Sequence, residues 1–173
     1  MGDQKAKADA DITVGDWQRR RKPMKKPFPG PQDARETLRV AFAKEAYSEI
    51  AAHTKGELDK EVCGVLVGQV GLDERGEYVL VNAVIRGDQS KQGPRHVTFT
   101  HETWQHINQV MEDEFADSVI VGWYHSHPGF GVSFSEMDSF IHSNFFPGEQ
   151  QIALVCDPVM GEEAICINST AGI

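Results

Sequence analysis

Two histidines one residue apart, His125 and His127, are followed by Ser135 and Asp138 in the run HSHPGFGVSFSEMD. Two imidazoles and a carboxylate form the donor set of a three-ligand zinc site that keeps a fourth position for water. That is the arrangement of a catalytic rather than a structural zinc. Residues i and i+2 of an extended segment project to one side, so His125 and His127 point together while Ser126 faces away. Pro128 and Gly129 turn the chain, and the stretch to Gly131 brings it back. Ser135 and Asp138 are three apart, hence on one face of a first helical turn, which can aim a hydroxyl and a carboxylate at one metal. Each piece alone has a plainer reading. The histidines could be ordinary loop residues, and Ser-x-x-Asp could be a helix cap whose serine oxygen satisfies a free N–H. Together they point to one ion. Imidazole ligation favours zinc over magnesium or calcium and leaves iron(II) open.

The elements that must position these residues are legible as periodicities. The apolar run SVIVGWY (118–124) reads as a buried strand that delivers the histidines at its end, and Ser135 starts a short helix to about residue 144. Residues 42–55 repeat apolar positions at helical spacing, as do 101–115, with Trp104, Ile107, Val110, Met111 and Phe115 on one side. VCGVLVGQV (62–70), EYVLVNAVIR (77–86), QIALVCD (151–157) and EEAICIN (162–168) read as strands, HVTFT as a short one, and 86–96 as a polar loop. Helices alternating unevenly with strands predict a mixed sheet flanked by helices.

Composition sets the frame. The 173 residues fit one domain with an appended tail, and no stretch approaches the roughly 18 to 20 apolar residues of a membrane span. The first residues lack an apolar secretory core, and Cys63, Cys156 and Cys166 are widely spaced without a C-x-x-C pair, which favours a reducing cytoplasm. Residues 1–36 hold nine basic and six acidic residues, a net +3, so the remainder carries −12. A body of that sign argues against nucleic acid as a partner. Residues 1–36, with RRRKPMKKPFPGP, read as a basic, proline-rich, flexible tail ahead of a domain at 37–173. Trp17, Met24 and Phe28 would be its anchors if it docks onto a partner.

A hydrolytic zinc site needs a base to take a proton from water. The best upstream candidate is Glu61, immediately before the apolar run. Spacing alone gives a solvated Glu at a strand end.

EVCGVLVG followed by GWYHSHPGFGVSFSEMD resembles the JAMM (MPN+) metalloproteases. Their pattern is an upstream Glu, His-x-His-Pro, seven residues after the second His, and Ser-x-x-Asp. Residues 128–134 are those seven. The resemblance continues through VTFTHETWQHI and NFFPGEQQIALVCDP and is strongest to bacterial members of the deubiquitinase-like JAB type. Some of these sit beside E1-like, E2-like and ubiquitin-like proteins. The resemblance implies an α/β (α+β) fold of the MPN, cytidine deaminase-like kind, with a largely antiparallel mixed sheet. It implies one Zn2+ per chain on His125, His127 and Asp138, with water as the fourth ligand. Glu61 would take the proton of that water and return it to the leaving amine, and Ser135 would hydrogen-bond the oxyanion. The implied reaction is hydrolysis of a peptide or isopeptide bond at the C-terminus of a ubiquitin-like protein, in deconjugation or precursor maturation. The alternatives are a non-catalytic scaffold, although every motif position is occupied, and a protease acting on a sulfur-carrier protein adduct.

Only twelve residues separate Asp138 from QIALVCD, where some relatives carry a longer insertion with a second zinc. His142 is the one histidine there, with no cysteine nearby, so no second metal is expected. His101 and His106, five apart on a helix, face different ways, and His96 reads as surface. Cys63 has no implied histidine partner and apolar neighbours, so it is not expected to be a nucleophile. Trp123 and Tyr124 read as core; Phe130 and Phe134 could wall a groove, with one of them packing inward.

Overall fold

The computed structural model describes residues 22–30, 38–88, 90–93 and 96–168. The chain builds nine strands and three helices among them. In order these are β1 (Met24–Lys25), β2 (Arg39–Phe42), α1 (Lys44–Lys55), β3 (Cys63–Asp73), β4 (Gly76–Arg86), β5 (Lys91–Gly93) and β6 (His96–Thr98). There follow α2 (His101–Glu114), β7 (Val119–Ser126), α3 (Glu136–Phe145), β8 (Ile152–Asp157) and β9 (Glu162–Ile167). The main sheet runs β2-β4-β3-β7-β8-β9, with β1 added to β3, and β5-β6 form a separate hairpin. The longest ladders, β3 on β4 and β3 on β7, are antiparallel, while β7 and β8 run parallel. The fold is thus the mixed, mostly antiparallel α+β sheet that the sequence predicts. No helix among the described residues is long and apolar enough to cross a membrane.

Both faces of the sheet are covered. Val65, Val67, Ile107, Met111, Trp123 and Phe146 belong to one apolar cluster, which unites α2 and α3 with the sheet. Ala46, Ile50, Leu66, Val81, Tyr124 and Leu154 belong to the other, under α1. Strand alternation explains Val65 and Val67 facing opposite to Leu66. In β7 the alternation breaks. Ile120 and Trp123, an odd number of residues apart, share the α2/α3 face. A β-bulge lies between them: Leu66 pairs with Gly122 but Val67 with Ile120. Gly122 has φ +144°, and a Cβ there would sit 1.9 Å from the Ile152 carbonyl oxygen, so only glycine fits. Without the extra residue, His125 and His127 would emerge on the α1 side. The bulge is what aims them toward α3.

Residues 22–30 depart from the expected tail. β3 extends past the end of β7, and the open edge at Gly71 and Leu72 is taken in parallel by Met24 and Lys25. Phe28 is buried against Tyr78, with ring centroids 5.3 Å apart, under the guanidinium of Arg39. Asp73 accepts from Phe28 N at 3.0 Å and from both terminal nitrogens of Arg39 at 2.8 and 2.7 Å. One aromatic ring, two backbone pairs and the bond from Phe28 N to an Asp73 carboxylate braced by Arg39 attach a stretch whose basic, proline-rich composition reads as solvated. The rest of residues 1–36, Trp17 included, lies outside the described residues. The short strands β2 and β5 were also not expected, the latter because it falls within a polar loop.

Candidate metal centre

His125 stands near the end of β7, flanked by Cys63 of β3 and Val155 of β8. It is completely buried. The chain leaves the sheet at His127, whose backbone N–H still donates to Cys156 O at 2.8 Å. Ser126, between them, faces away. Its Oγ accepts from Val62 N and its own N–H donates to Val62 O, both at 3.0 Å, which clamps the strand carrying Glu61 to the strand carrying the histidines. Asp138 reaches in from the first turn of α3. That turn is fixed by a reciprocal cap in which Ser135 Oγ accepts from Asp138 N at 3.1 Å and Ser135 N donates to Asp138 Oδ2 at 2.7 Å.

The three side chains converge. The two Nε2 atoms lie 3.0 Å apart, His125 Nε2 is 3.1 Å from Asp138 Oδ1, and His127 Nε2 is 3.1 Å from Asp138 Oδ2. Donors about 2.0 to 2.1 Å from a tetrahedral ion stand about 3.3 Å from one another, so the spacing fits zinc with little adjustment. His125, His127 and Asp138 are the one group among the described residues whose ligand atoms could hold a metal in this way. Burial pushes the pKa of His125 down. Burial opposes charge on His127 as well, but the hydrogen bond and charge of Asp138 outweigh it and raise its pKa. Against the same burial, contacts with both imidazoles hold the Asp138 carboxyl well below the usual carboxylate range. The set is therefore electrostatically ready for a cation.

The two imidazoles are oriented by different means. His127 is held at Nδ1 by Gly131 O, 3.1 Å away, and by Phe130 stacked 4.5 Å from its ring. His125 stacks on Trp123 at 4.3 Å and 7°, while its buried Nδ1 makes no hydrogen bond. Trp123 is fixed in turn because its Nε1–H donates to His142 Nδ1 at 3.1 Å. His142 therefore serves the aromatic packing behind the site. Sequence reasoning assigned Trp123 to the core and missed that this core face is also the wall against which His125 lies.

Glu61 closes the fourth side. Its N–H donates to Gly93 O of β5, which ties it to the hairpin. Its side chain is buried, with Oε1 3.6 Å from His127 Nε2 and Oε2 making no hydrogen bond. Burial pushes its carboxyl up to about 7, opposed by His127 and aided by Asp138. A buried carboxylate with an unused oxygen beside a ligand cluster is not the solvated strand-end Glu that spacing alone suggests. Ser135 is exposed, and because its Oγ accepts in the cap, its hydroxyl proton stays available to a partner.

The remaining candidates separate cleanly. His96 and His101 are exposed and His106 half-buried, none of them in the cluster. Cys63 is fully buried and its thiol is pushed up to about 12 by desolvation, which leaves no thiolate for attack. Phe130 is exposed over His127, whereas Phe134 is half-buried near Trp123 and His125.

Comparison with known proteins agrees with this geometry. The family model described as JAB1/Mov34/MPN/PAD-1 ubiquitin protease matches residues 35–147, which contain Glu61, His125, His127, Ser135 and Asp138. The chain is 28% identical over 131 residues to ubiquitin carboxyl-terminal hydrolase RPN11 of Saccharomyces cerevisiae, covering 75% of this chain and 41% of that protein. It is 29% identical over 135 residues to COP9 signalosome complex subunit 5 of Eremothecium gossypii, covering 73% and 30%. The chain thus spans less than half the length of these curated relatives. Among solved structures, protein DSY2949 of Desulfitobacterium hafniense superimposes with a TM-score of 0.53 at 21% identity, over 73% of this chain and 80% of that one. That likeness concerns the fold.

Proposed function

The chain belongs to the JAB1/Mov34/MPN/PAD-1 family, and on that premise we propose that it is a zinc metallopeptidase that hydrolyses a peptide or isopeptide bond at the C-terminus of a ubiquitin-like protein. The observation that carries the reading is the convergence of four buried groups, His125, His127, Asp138 and Glu61, with one carboxylate oxygen of Glu61 left unbonded.

His125, His127 and Asp138 would hold the ion. Zinc, when bound, supplies Lewis acidity toward the scissile carbonyl and toward water. Glu61 takes a proton from the attacking water as its oxygen bonds to the carbonyl carbon, and gives that proton to the amine as the C–N bond breaks. A carboxyl displaced toward neutrality is suited to both halves of that task. Ser135 donates its hydroxyl proton to the oxygen that gains charge. His125, His127, Asp138 and Glu61 are buried away from bulk water, while Ser135 and Phe130 beside them are exposed.

Ubiquitin-like substrates are supported by the name of one relative, a ubiquitin carboxyl-terminal hydrolase, and by the family's description as a ubiquitin protease. E1-like and E2-like proteins encoded nearby are the partners that this reading adds. Three free cysteines suit a reducing cytoplasm as the compartment. The test is incubation of the purified, zinc-loaded protein with the neighbouring ubiquitin-like protein, as precursor and as conjugate, read by intact mass. Loss of the mass beyond the modifier's terminal residue is expected. An unchanged mass in both forms, with zinc bound, overturns the activity and leaves a scaffold.

A further inference from the structure

Asp157, the last residue of β8, lies outside the stretch matched by the family model and is 1% exposed. A buried carboxylate is costly unless its lone pairs are taken. Here four backbone N–H groups take them. Oδ1 accepts from Gly129, Val159 and Met160 at 2.9, 3.0 and 3.0 Å, and Oδ2 accepts from Gly131 at 2.8 Å. Burial works against its ionisation, and these donors outweigh burial and hold the carboxyl below its usual range. One side chain therefore stitches the loop after His127 to the turn between β8 and β9.

That loop is what orients His127. Gly131, at φ +84°, turns its carbonyl onto His127 Nδ1, and Phe130 is laid on the imidazole face. Both contacts lie in a loop whose backbone N–H groups at Gly129 and Gly131 are held by the two oxygens of Asp157. We infer that Asp157 is a positioning residue for His127, acting through Gly131: it fixes the loop so that the Gly131 carbonyl holds Nδ1–H and leaves Nε2 as the donor toward the metal. Metal-binding histidines commonly have their second nitrogen held by a carbonyl or carboxylate. Here the carboxylate stands one step further out. The consequence for the metal rests on the zinc reading above; the consequence for the imidazole tautomer does not.

Asp157→Asn separates this role from general stability. The amide oxygen can keep the three donors of Oδ1, but its NH2 then meets the Gly131 N–H, donor against donor. In the zinc-free wild type at about pH 8, nitrogen NMR of labelled histidine should show His127 protonated on Nδ1, and the Gly131 amide should exchange slowly. In Asp157→Asn the Nδ1–H preference should be lost. Zinc affinity, measured by chelator competition well below the unfolding temperature, should fall about 10- to 100-fold. Unchanged tautomer and affinity in a folded Asp157→Asn would overturn the inference. So would a wild type whose His127 carries no proton on Nδ1, a measurement that needs no variant to fold. A wild type that binds no zinc yet shows the Nδ1–H tautomer would sink the metal reading and leave the Asp157 contact standing.

Discussion

The two ends of β3 carry carboxylates in opposite circumstances. At the far end Asp73 has its oxygens engaged by Arg39, Phe28 N and Arg75 N, and its carboxyl is held well below the usual range, chiefly by the hydrogen bonds from Arg39. Just before the near end Glu61 is buried with an oxygen unbonded, and desolvation pushes it up to about 7. Buried polar groups are normally satisfied, so the two sites separate architecture from chemistry. Asp73 fastens residues 22–30 to the sheet. Glu61 keeps an unmet demand beside three convergent candidate ligands, and the Ser126 clamp and the bond from Glu61 N to Gly93 hold it there.

If the comparison is right, changes at the two ends should differ in kind as well as size. The largest effect belongs to the ligands: His125→Ala should weaken zinc binding by more than the roughly 10- to 100-fold seen for outer partners, and abolish turnover. Chelator competition measures it. Glu61→Gln should retain zinc while kcat falls by roughly 10²- to 10⁴-fold, as for loss of a general acid–base group. Metal content and single-turnover rates separate those outcomes.

Acid should act on the two carboxylates with opposite sign. Glu61 has an ordinary value of 4.5, raised to about 7 in the fold, so its contribution is fully present below 4.5 and is lost as pH rises through 7. Between those limits the zinc-free wild type should lose on the order of 3 kcal/mol relative to Glu61→Gln. Urea unfolding of both proteins at several pH values measures this, and a constant difference would contradict it. Phe28→Ala should cost about 3 kcal/mol, the lower end for aromatic truncation because the ring lies at the periphery, with kcat unchanged. The smallest effect is at Asp73. Its folded value is depressed, so its stabilisation is present above the ordinary 3.8 and is lost as pH falls through the lower folded value. The stability gap between wild type and Arg39→Met should therefore shrink in strong acid, as urea midpoints would show.

The same contrast explains what was legible in the sequence. The convergence of His125, His127 and Asp138 could be read because they lie within fourteen residues and their strand and helix obey simple periods. The helices at Lys44–Lys55, His101–Glu114 and Glu136–Phe145 fall within a residue or two of their apolar repeats. Glu61 needed the family resemblance, because a carboxylate at a strand end looks the same whether solvent or an imidazole lies beside it. The bulge at Gly122 was hidden because its cause is the carbonyl of Ile152, thirty residues on. Asp157 before Pro158 reads as an ordinary turn aspartate, and nothing local says that two of its donors come from the histidine loop. Residues 22–30 were missed because composition records their charge and prolines, not the open edge of β3 that receives them.

X-ray absorption at the zinc edge on the purified, dialysed chain puts the central claim to the most direct test. The account expects about one zinc per chain, about four nitrogen and oxygen ligands at roughly 2.0 Å, two of them imidazoles, and no sulfur. Sulfur ligation, or a chain that holds no zinc after zinc is supplied, would contradict it.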